Sequence, residues 1–224
     1  MTFGSSTTYS TPRGGSSSYE QCVSVEGPDD DPFIRWNWEW PESDTLVSFP
    51  EIVVGYKPWD DPPARSDYPV SVGSFDATAY FDADIHAQGN YNVSFDIWCV
   101  DSDRPVVSSI THEVMIWLEN SSLVPFGEKT ATVSLGQVEY ELWIAESHPD
   151  ITGRTSHRWT YIAFVPVSEG TVRKVGLDLS LFFDYLTQNG YMPGSTKIAS
   201  VELGTQIMSG TGSVTVSGFR IDMQ

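Results

Sequence analysis

Two short runs set acids beside aromatic residues in a pattern that could do chemistry. In "THEVMIWLEN", residues 111–120, strand alternation puts Thr111, Glu113, Met115 and Trp117 on one face and His112, Val114, Ile116 and Leu118 on the other. In "VSFDIWCV", residues 93–100, Val93, Phe95, Ile97 and Cys99 make the apolar face, opposite Ser94, Asp96 and Trp98. A carboxylate flanked by Met and Trp is an unusual face to offer to plain solvent. Sugar rings stack their flat C–H faces on indole, and their hydroxyls need acids and amides nearby. Acids beside aromatics on one sheet face therefore suggest a carbohydrate cleft. The eight tryptophans exceed what packing alone leads one to expect in a chain of 224 residues, although any one of them is as readily a core residue.

A third run, "SVELGTQIMSG" at 200–210, has Val201, Leu203, Thr205 and Ile207 on one face and Glu202, Gly204, Gln206 and Met208 on the other. The first face reads as buried. The second reads as meeting a ligand, with an uncharged amide at its centre.

The elements that must position these residues are strands. Short apolar or alternating runs recur from Cys22 onward, among them "FIRWNWEW", "EIVVGYKPW", "ATAYFDADI", "NYNVSFDIWCV", "RWTYIAFVPV", "KIASVELG" and "SVTVSGFRIDM". Gly, Pro, Asn, Asp and Ser separate them at intervals typical of sandwiches and jelly rolls, so the fold class is all-β. One segment departs from this. "LDLSLFFDYLTQNG" places Leu179, Phe182, Phe183 and Leu186 at helical spacing with Gly190 set to cap the end, which predicts one α-helix. The length fits a single domain over 1–224, with the Ser/Thr/Gly-rich residues 1–18 either a flexible lead-in or an edge strand.

Charge narrows the partners. With 12 Lys plus Arg against 30 Asp plus Glu, the formal net charge of −18 repels nucleic acid and anionic membrane surfaces and leaves a neutral partner. No apolar run approaches the ~20 residues that span a bilayer, and the N-terminal stretch has no apolar signal-peptide segment. The chain reads as a mature domain given a start Met, or as a cytosolic protein. Cys22 and Cys99 permit at most one disulfide and fit no metal or redox spacing. The acidic run "PDDDP" at 28–32 reads as a solvated turn, so no metal and no cofactor are expected. None of the four histidines shows ligand or triad spacing, and His112, on the apolar face, reads as a hydrogen-bonded core residue.

The motifs resemble the family 12 glycoside hydrolases. "HEVMIWL" is similar to their nucleophile strand, "GYKPW" at 55–59 to a stretch of thermophilic members, "VPFG" to their Pro-x-Gly loop at Pro125, and "LFFDYLTQNGY" to their single helix. "SVELGTQIMSGTGS" resembles the Gly-Thr-Glu segment that carries the acid/base, followed by a last strand like "SVTVSGFRIDM". The match runs in order from about Cys22 to the C-terminus. It implies a β-jelly roll of two curved antiparallel sheets and a retaining endo-hydrolase of β-1,4-glucans, whether cellulose, mixed-linkage glucan or xyloglucan. It also implies a secreted, monomeric chain whose partner is the glucan. Glu113 matches the family's nucleophile, Asp96 the acid beside it, and Met115 the Met of the cleft. Trp117, Trp98, Trp59, Trp38, Glu202 and Pro125 are the further candidates to line it. Trp38 shares a strand face with Trp36 and Trp40, and alternation leaves open whether that face or the one bearing Arg35, Asn37 and Glu39 sees the cleft. The family's early Asn-x-Trp-Gly motif is not found; "MTFG" falls in its place without the Trp.

The acid/base position falls on Gln206. A retaining glycosidase needs one carboxylate to attack the anomeric carbon and a protonated one, about 5–5.5 Å away, to donate to the departing oxygen. An amide can hydrogen-bond that oxygen but has no proton to give. General acid catalysis contributes ~10²–10⁴ in rate, so this chain is expected to bind glucan and cleave it poorly. The otherwise intact pattern favours a deliberate Glu-to-Gln change over natural loss of the acid. The alternative function is a non-catalytic carbohydrate-binding jelly roll.

Overall fold

Gly89 and Gly210 sit opposite each other on two long neighbouring strands, both with positive φ, at 112° and 100°. A Cβ at Gly89 would lie 2.5 Å from the Ser209 carbonyl oxygen, and one at Gly210 2.0 Å from that of Gln88, so no other residue fits this crossing. The strand pair bends there, and the bend makes two layers from one ladder. Phe81 and Phe95 belong to the same strand, yet their rings meet edge to face at 5.4 Å. A straight strand would hold them ~48 Å apart.

The computed structural model describes residues 2–6, 19–28, 32–60, 67–151, 155–168 and 174–224. In chain order the elements are β1 (Thr2–Ser6), β2 (Glu20–Glu26), β3 (Phe33–Trp40), β4 (Phe49–Gly55), β5 (Val70–Ser71), β6 (Ala77–Val100), β7 (Ile110–Ser121), β8 (Glu128–Leu135), β9 (Val138–Pro149), β10 (Arg158–Pro166), β11 (Lys174–Asp178), α1 (Ser180–Gln188) and β12 (Lys197–Met223). The runs "ATAYFDADI" and "NYNVSFDIWCV" are thus one strand, β6, and "KIASVELG" and "SVTVSGFRIDM" are one strand, β12. The two pair antiparallel from end to end. Their outer halves carry β3, β2 and β11; their inner halves carry β4 with β1 on one side and β7, β10, β9 and β8 on the other. Among the described residues all pairings are antiparallel except β7–β10, where the chain returns beside β7 after the β8–β9 hairpin.

The fold is the expected all-β jelly roll with one helix. The core between the layers takes the apolar face of every strand: Phe81 and Ile85 from one half of β6, Phe95 and Ile97 from the other, Val214 and Val216 from β12. Trp36, Trp38 and Trp40 turn inward as well, at 0%, 3% and 5% exposure, and Trp36 Nε1 donates across the layers to Thr205 Oγ1 at 2.8 Å. That settles the face alternation left open and removes Trp38 from the cleft: a ring this large is most stable in the gap the two bent layers must fill. The helix is where its periodicity predicts. Phe182 meets Tyr140 and Phe164 at 5.2 and 5.0 Å, and Phe183 meets Phe75 at 5.4 Å. Leu179 lies buried just before the first turn. Gly190 takes φ 75°, and the Gly190 and Tyr191 amides donate to the Thr187 and Leu186 carbonyls, closing the helix end.

Cys22 is exposed and Cys99 buried, and both are free thiols. Residues 1 and 7–18 of the N-terminal lead-in, and the three aspartates of the 28–32 run, lie outside the described residues.

Candidate active site

The face of β12, β6, β7 and β10 turned away from the core carries the polar residues. Glu113 on β7 pairs with Trp98 on β6, and Met115 with Asp96. Across β6, Asp96 pairs with Glu202 on β12, and Asn92 pairs with Gln206. On the other side, Tyr161 of β10 lies beside Glu113. Alternation therefore brings Glu113, Asp96 and Gln206, far apart in sequence, to one concave surface. A cavity of about 220 Å³ opens there, lined by these three with Trp98, Trp59 and Trp159.

Glu113 is 7% exposed, and its Oε2 accepts a hydrogen bond from Trp159 Nε1 at 2.7 Å. Burial pushes its carboxyl from 4.5 up to about 7. Glu202 and Asp150 add to the rise, and the Trp159 donor and the Lys57 ammonium oppose it. Since the folded state holds this proton more tightly than the unfolded chain, the group favours the fold below about pH 4.5. The contribution is lost as pH rises through about 7. Above that, ionised Glu113 costs on the order of 3 kcal/mol. Glu113→Gln is accordingly expected to melt several degrees higher than the parent at pH 8 and at nearly the same temperature at pH 4.5, by calorimetry at both pH values. An equal shift at the two pH values would show that the gain is not electrostatic.

Asp96 is held well above the usual carboxylate range, by burial first and then by Glu113. Its Oδ1 is buried and has no hydrogen-bond partner among the described residues. A neutral carboxyl beside an anionic Glu113 is the arrangement such a pair favours.

At Gln206 the hydrogen-bond pattern fixes which way the amide points. Asn92 Oδ1 accepts from the Gln206 backbone N–H at 3.3 Å and from Ser94 Oγ at 3.4 Å, so Asn92 Nδ2 is the donor to Gln206 Oε1, at 2.8 Å. Gln206 lines the cavity, and with its oxygen engaged its side chain keeps only Nε2, a pure donor, for a further partner.

Four further candidates are closed off from solvent. Met115 and Trp117, at 0% and 1% exposure, share Glu113's face but pack with Tyr161 and Ala163 beneath Leu123 and Trp143. The loop after β7 covers them, and its Phe126 packs on Tyr161 at 5.6 Å. Trp38 is core. Glu202, at 0% exposure, accepts from Ser200 Oγ at 2.8 Å and pairs with Lys57 Nζ at 2.8 Å, so both its oxygens are engaged within the protein. Pro125 is half-buried beside Phe126, which does line the cavity. Trp59, 38% exposed, stands at the rim against Trp98, ring centroids 4.8 Å apart. His112 is buried and bonds Thr111 Oγ1 at 2.9 Å.

Alternation within each run did not single out Lys57, Glu51, Trp159 or His148. Lys57 Nζ lies 2.8 Å from Glu51 Oε1 and 2.8 Å from Glu202 Oε2, a buried cation between two acids. His148 meets Phe126 at a tilt of 47°, ring centroids 4.4 Å apart, and burial lowers it to about 4, which keeps its imidazole neutral. In "RWTYIAFVPV" the alternate set Trp159, Tyr161 and Ala163 does carry the aromatic signature of the other cleft strands, and this was the available signal for Trp159.

Comparison with known proteins bears on the family and the fold. The family model described as Glycosyl hydrolase family 12 matches residues 15–224. Endoglucanase S of Pectobacterium parmentieri is 33% identical over 195 residues, covering 85% of this chain and 72% of that protein. The xyloglucan-specific endo-β-1,4-glucanase 1 of Phytophthora sojae is 29% identical over 141 residues, 60% of this chain and 53% of that protein. Among solved structures, the native family 12 xyloglucanase from Bacillus licheniformis has the same fold, with a TM-score of 0.81 at 24% identity over 93% of this chain and 88% of that one.

Proposed function

Since the chain belongs to glycosyl hydrolase family 12, we propose that its cavity takes a β-1,4-glucan and that Glu113 attacks the anomeric carbon of the bound sugar with overall retention. The observation that carries this is Glu113 itself: a buried carboxylate held by Trp159 Nε1, next to Asp96, on the floor of an aromatic-walled cavity. Covalent attack requires an anion held in one orientation, and the indole donor supplies that. Asp96 steadies the pair by holding its own proton beside the Glu113 anion. Trp98 and Trp59 present ring faces and edges for the C–H surfaces of glucose units. The endoglucanase and xyloglucanase names of the relatives support a backbone of β-1,4-linked glucose, with secretion and a monomeric chain as companions of that role.

The second half of the reaction is where this chain departs. Gln206 stands where a proton donor belongs, so the chain is an acid/base-disabled form that binds glucan and turns it over slowly. Retention is tested by the anomer first released from cello-oligosaccharides, followed by proton NMR in the Gln206→Glu variant. β-Product supports Glu113 as nucleophile, whereas α-product sinks it.

A further inference from the structure

We infer that His148 is a substrate-binding residue: with Phe126 it forms a seat for one glucose unit, the phenyl ring taking a C–H face of the sugar and the imidazole pairing with one of its hydroxyls. This rests on the reading of the cavity as a glucan site and deepens it. It adds a hydroxyl-binding side chain on β9, which lies on the far side of β7 and Glu113 from the strand that bears Gln206.

Three of the four histidines are satisfied within the protein. His86 Nε2 lies 3.2 Å from Asp84 Oδ1, His112 Nδ1 2.9 Å from Thr111 Oγ1, and His157 Nε2 2.7 Å from the Ile110 carbonyl oxygen. His148 is only 4% exposed and has no hydrogen-bond partner among the described residues, yet it lines the cavity together with Glu113. Leaving a buried polar ring unpaired is costly, and native folds do it where something else completes the bond. Neither of its nitrogens is among the unpartnered atoms sealed from solvent, so a molecule filling the cavity can supply the partner.

The imidazole is held ready. Its ring centroid lies 4.4 Å from that of Phe126, 5.3 Å from Tyr161 and 6.0 Å from Trp159. Trp159 also pairs with His148 in register and donates to Glu113 Oε2, so a single indole links the imidazole to the carboxylate. Phe126 is fixed against the same strand. Its neighbour Gly127 takes φ 84°, and a Cβ there would lie 2.0 Å from the Ile144 carbonyl oxygen on β9. The phenyl ring is nevertheless 45% exposed and lines the cavity. A sugar has apolar C–H faces and a polar rim, and an aromatic ring beside a fixed polar atom answers both at little ordering cost. Burial first and then Arg158 lower the imidazole to about 4, with Asp150 opposing. The neutral ring therefore keeps one donor and one acceptor, as a hydroxyl does.

The test uses the full chain, Gln206 included, and reads binding. Calorimetry with cellopentaose and with a xyloglucan heptasaccharide is expected to show ~tenfold weaker binding for His148→Phe, which keeps an aromatic ring and drops both nitrogens. Phe126→Ala should weaken binding as well, and the double variant should lose less than the product of the two single losses, because one sugar unit uses both side chains. A measurement that needs no variant is nitrogen NMR of the parent, in which the His148 ring signals should move on saturation with oligosaccharide. Unmoved ring signals at saturation, or His148→Phe binding as tightly as the parent, would overturn the inference and leave the glucan cavity standing. Losses at 126 and 148 that simply multiply would overturn the shared seat. No binding of either oligosaccharide by the parent would overturn the glucan reading, and the inference with it.

Discussion

Replacing Gln206 with Glu is expected to raise kcat on mixed-linkage β-glucan and xyloglucan by ~10²–10⁴, with a change in melting temperature of only a degree or two. The substitution is nearly isosteric, and Asn92 Nδ2 can donate to a carboxyl oxygen as it does to the amide oxygen at 2.8 Å. The second oxygen then occupies the place of Nε2. Partial burial and the anion at Glu113 both favour its protonated form near neutral pH, as a general acid requires. Glu113 must be ionised to attack, so kcat/KM of the variant should fall about tenfold per pH unit on the acid side of about pH 7. Reducing-end release across pH 4–9 measures both effects. A variant no faster than the parent would remove Gln206 from the acid position, and an acid limb near pH 4 would mean that Glu113 is not the group that must lose a proton.

Much of this site was legible before any coordinates, because it lies on strands and alternation says which side chains share a face. The period of two set Glu113, Asp96 and Gln206 each on the outward face of its own strand, and the resemblance to family 12 joined them into one site. Alternation does not say which face the neighbouring loops cover. Met115 and Trp117 share Glu113's face and are nonetheless sealed under the segment around Leu123 and Phe126. Nor does it say which of two faces a bent layer turns inward, and so Trp38 was misplaced. The same limit hid the bend. Gly89 and Gly210 look like strand-ending punctuation in the sequence, whereas in the fold each lies inside a continuous ladder because the opposite strand carries a glycine at the same level. Pairing between residues over a hundred positions apart is a tertiary fact, and Lys57 shows it most clearly. Nothing near it in sequence announces that Glu202, from the last strand, will be its second partner.

Lys57→Met is expected to cost about 3–5 kcal/mol, roughly 10 °C or more in melting temperature at pH 8. Lys57 is 6% exposed, with Nζ 2.8 Å from Glu51 Oε1, 2.9 Å from Glu51 Oε2 and 2.8 Å from Glu202 Oε2. Burial alone would lower its pKa, but the two carboxylates outweigh burial and hold it above the ordinary lysine value, so the ammonium is permanently charged. Glu51 is pushed well above the usual carboxylate range, by burial first and then by Glu202, with Lys57 opposing. Without the cation, Glu51, already pushed upward by burial, can only remain buried by taking up a proton. The penalty is therefore full at high pH, where protons are scarce, and shrinks as pH falls toward 5. Met fills the stem's volume, so the loss reads charge and not a cavity. The triple change Lys57→Met, Glu51→Gln, Glu202→Gln should recover most of the stability, because no buried ion is left unpaired. The loss should also reach the chemistry: Lys57 opposes the rise in pKa at both Glu113 and Asp96, so its removal moves the acid limb of a Gln206→Glu background to higher pH. Melting curves of the single and triple variants at pH 5 and pH 8, with the pH profile in that background, decide it. A single variant that melts within about 2 °C of the parent at pH 8 would mean that water reaches Glu51 and Glu202 in place of the cation. The cluster would then be packing, with no hold on Glu113.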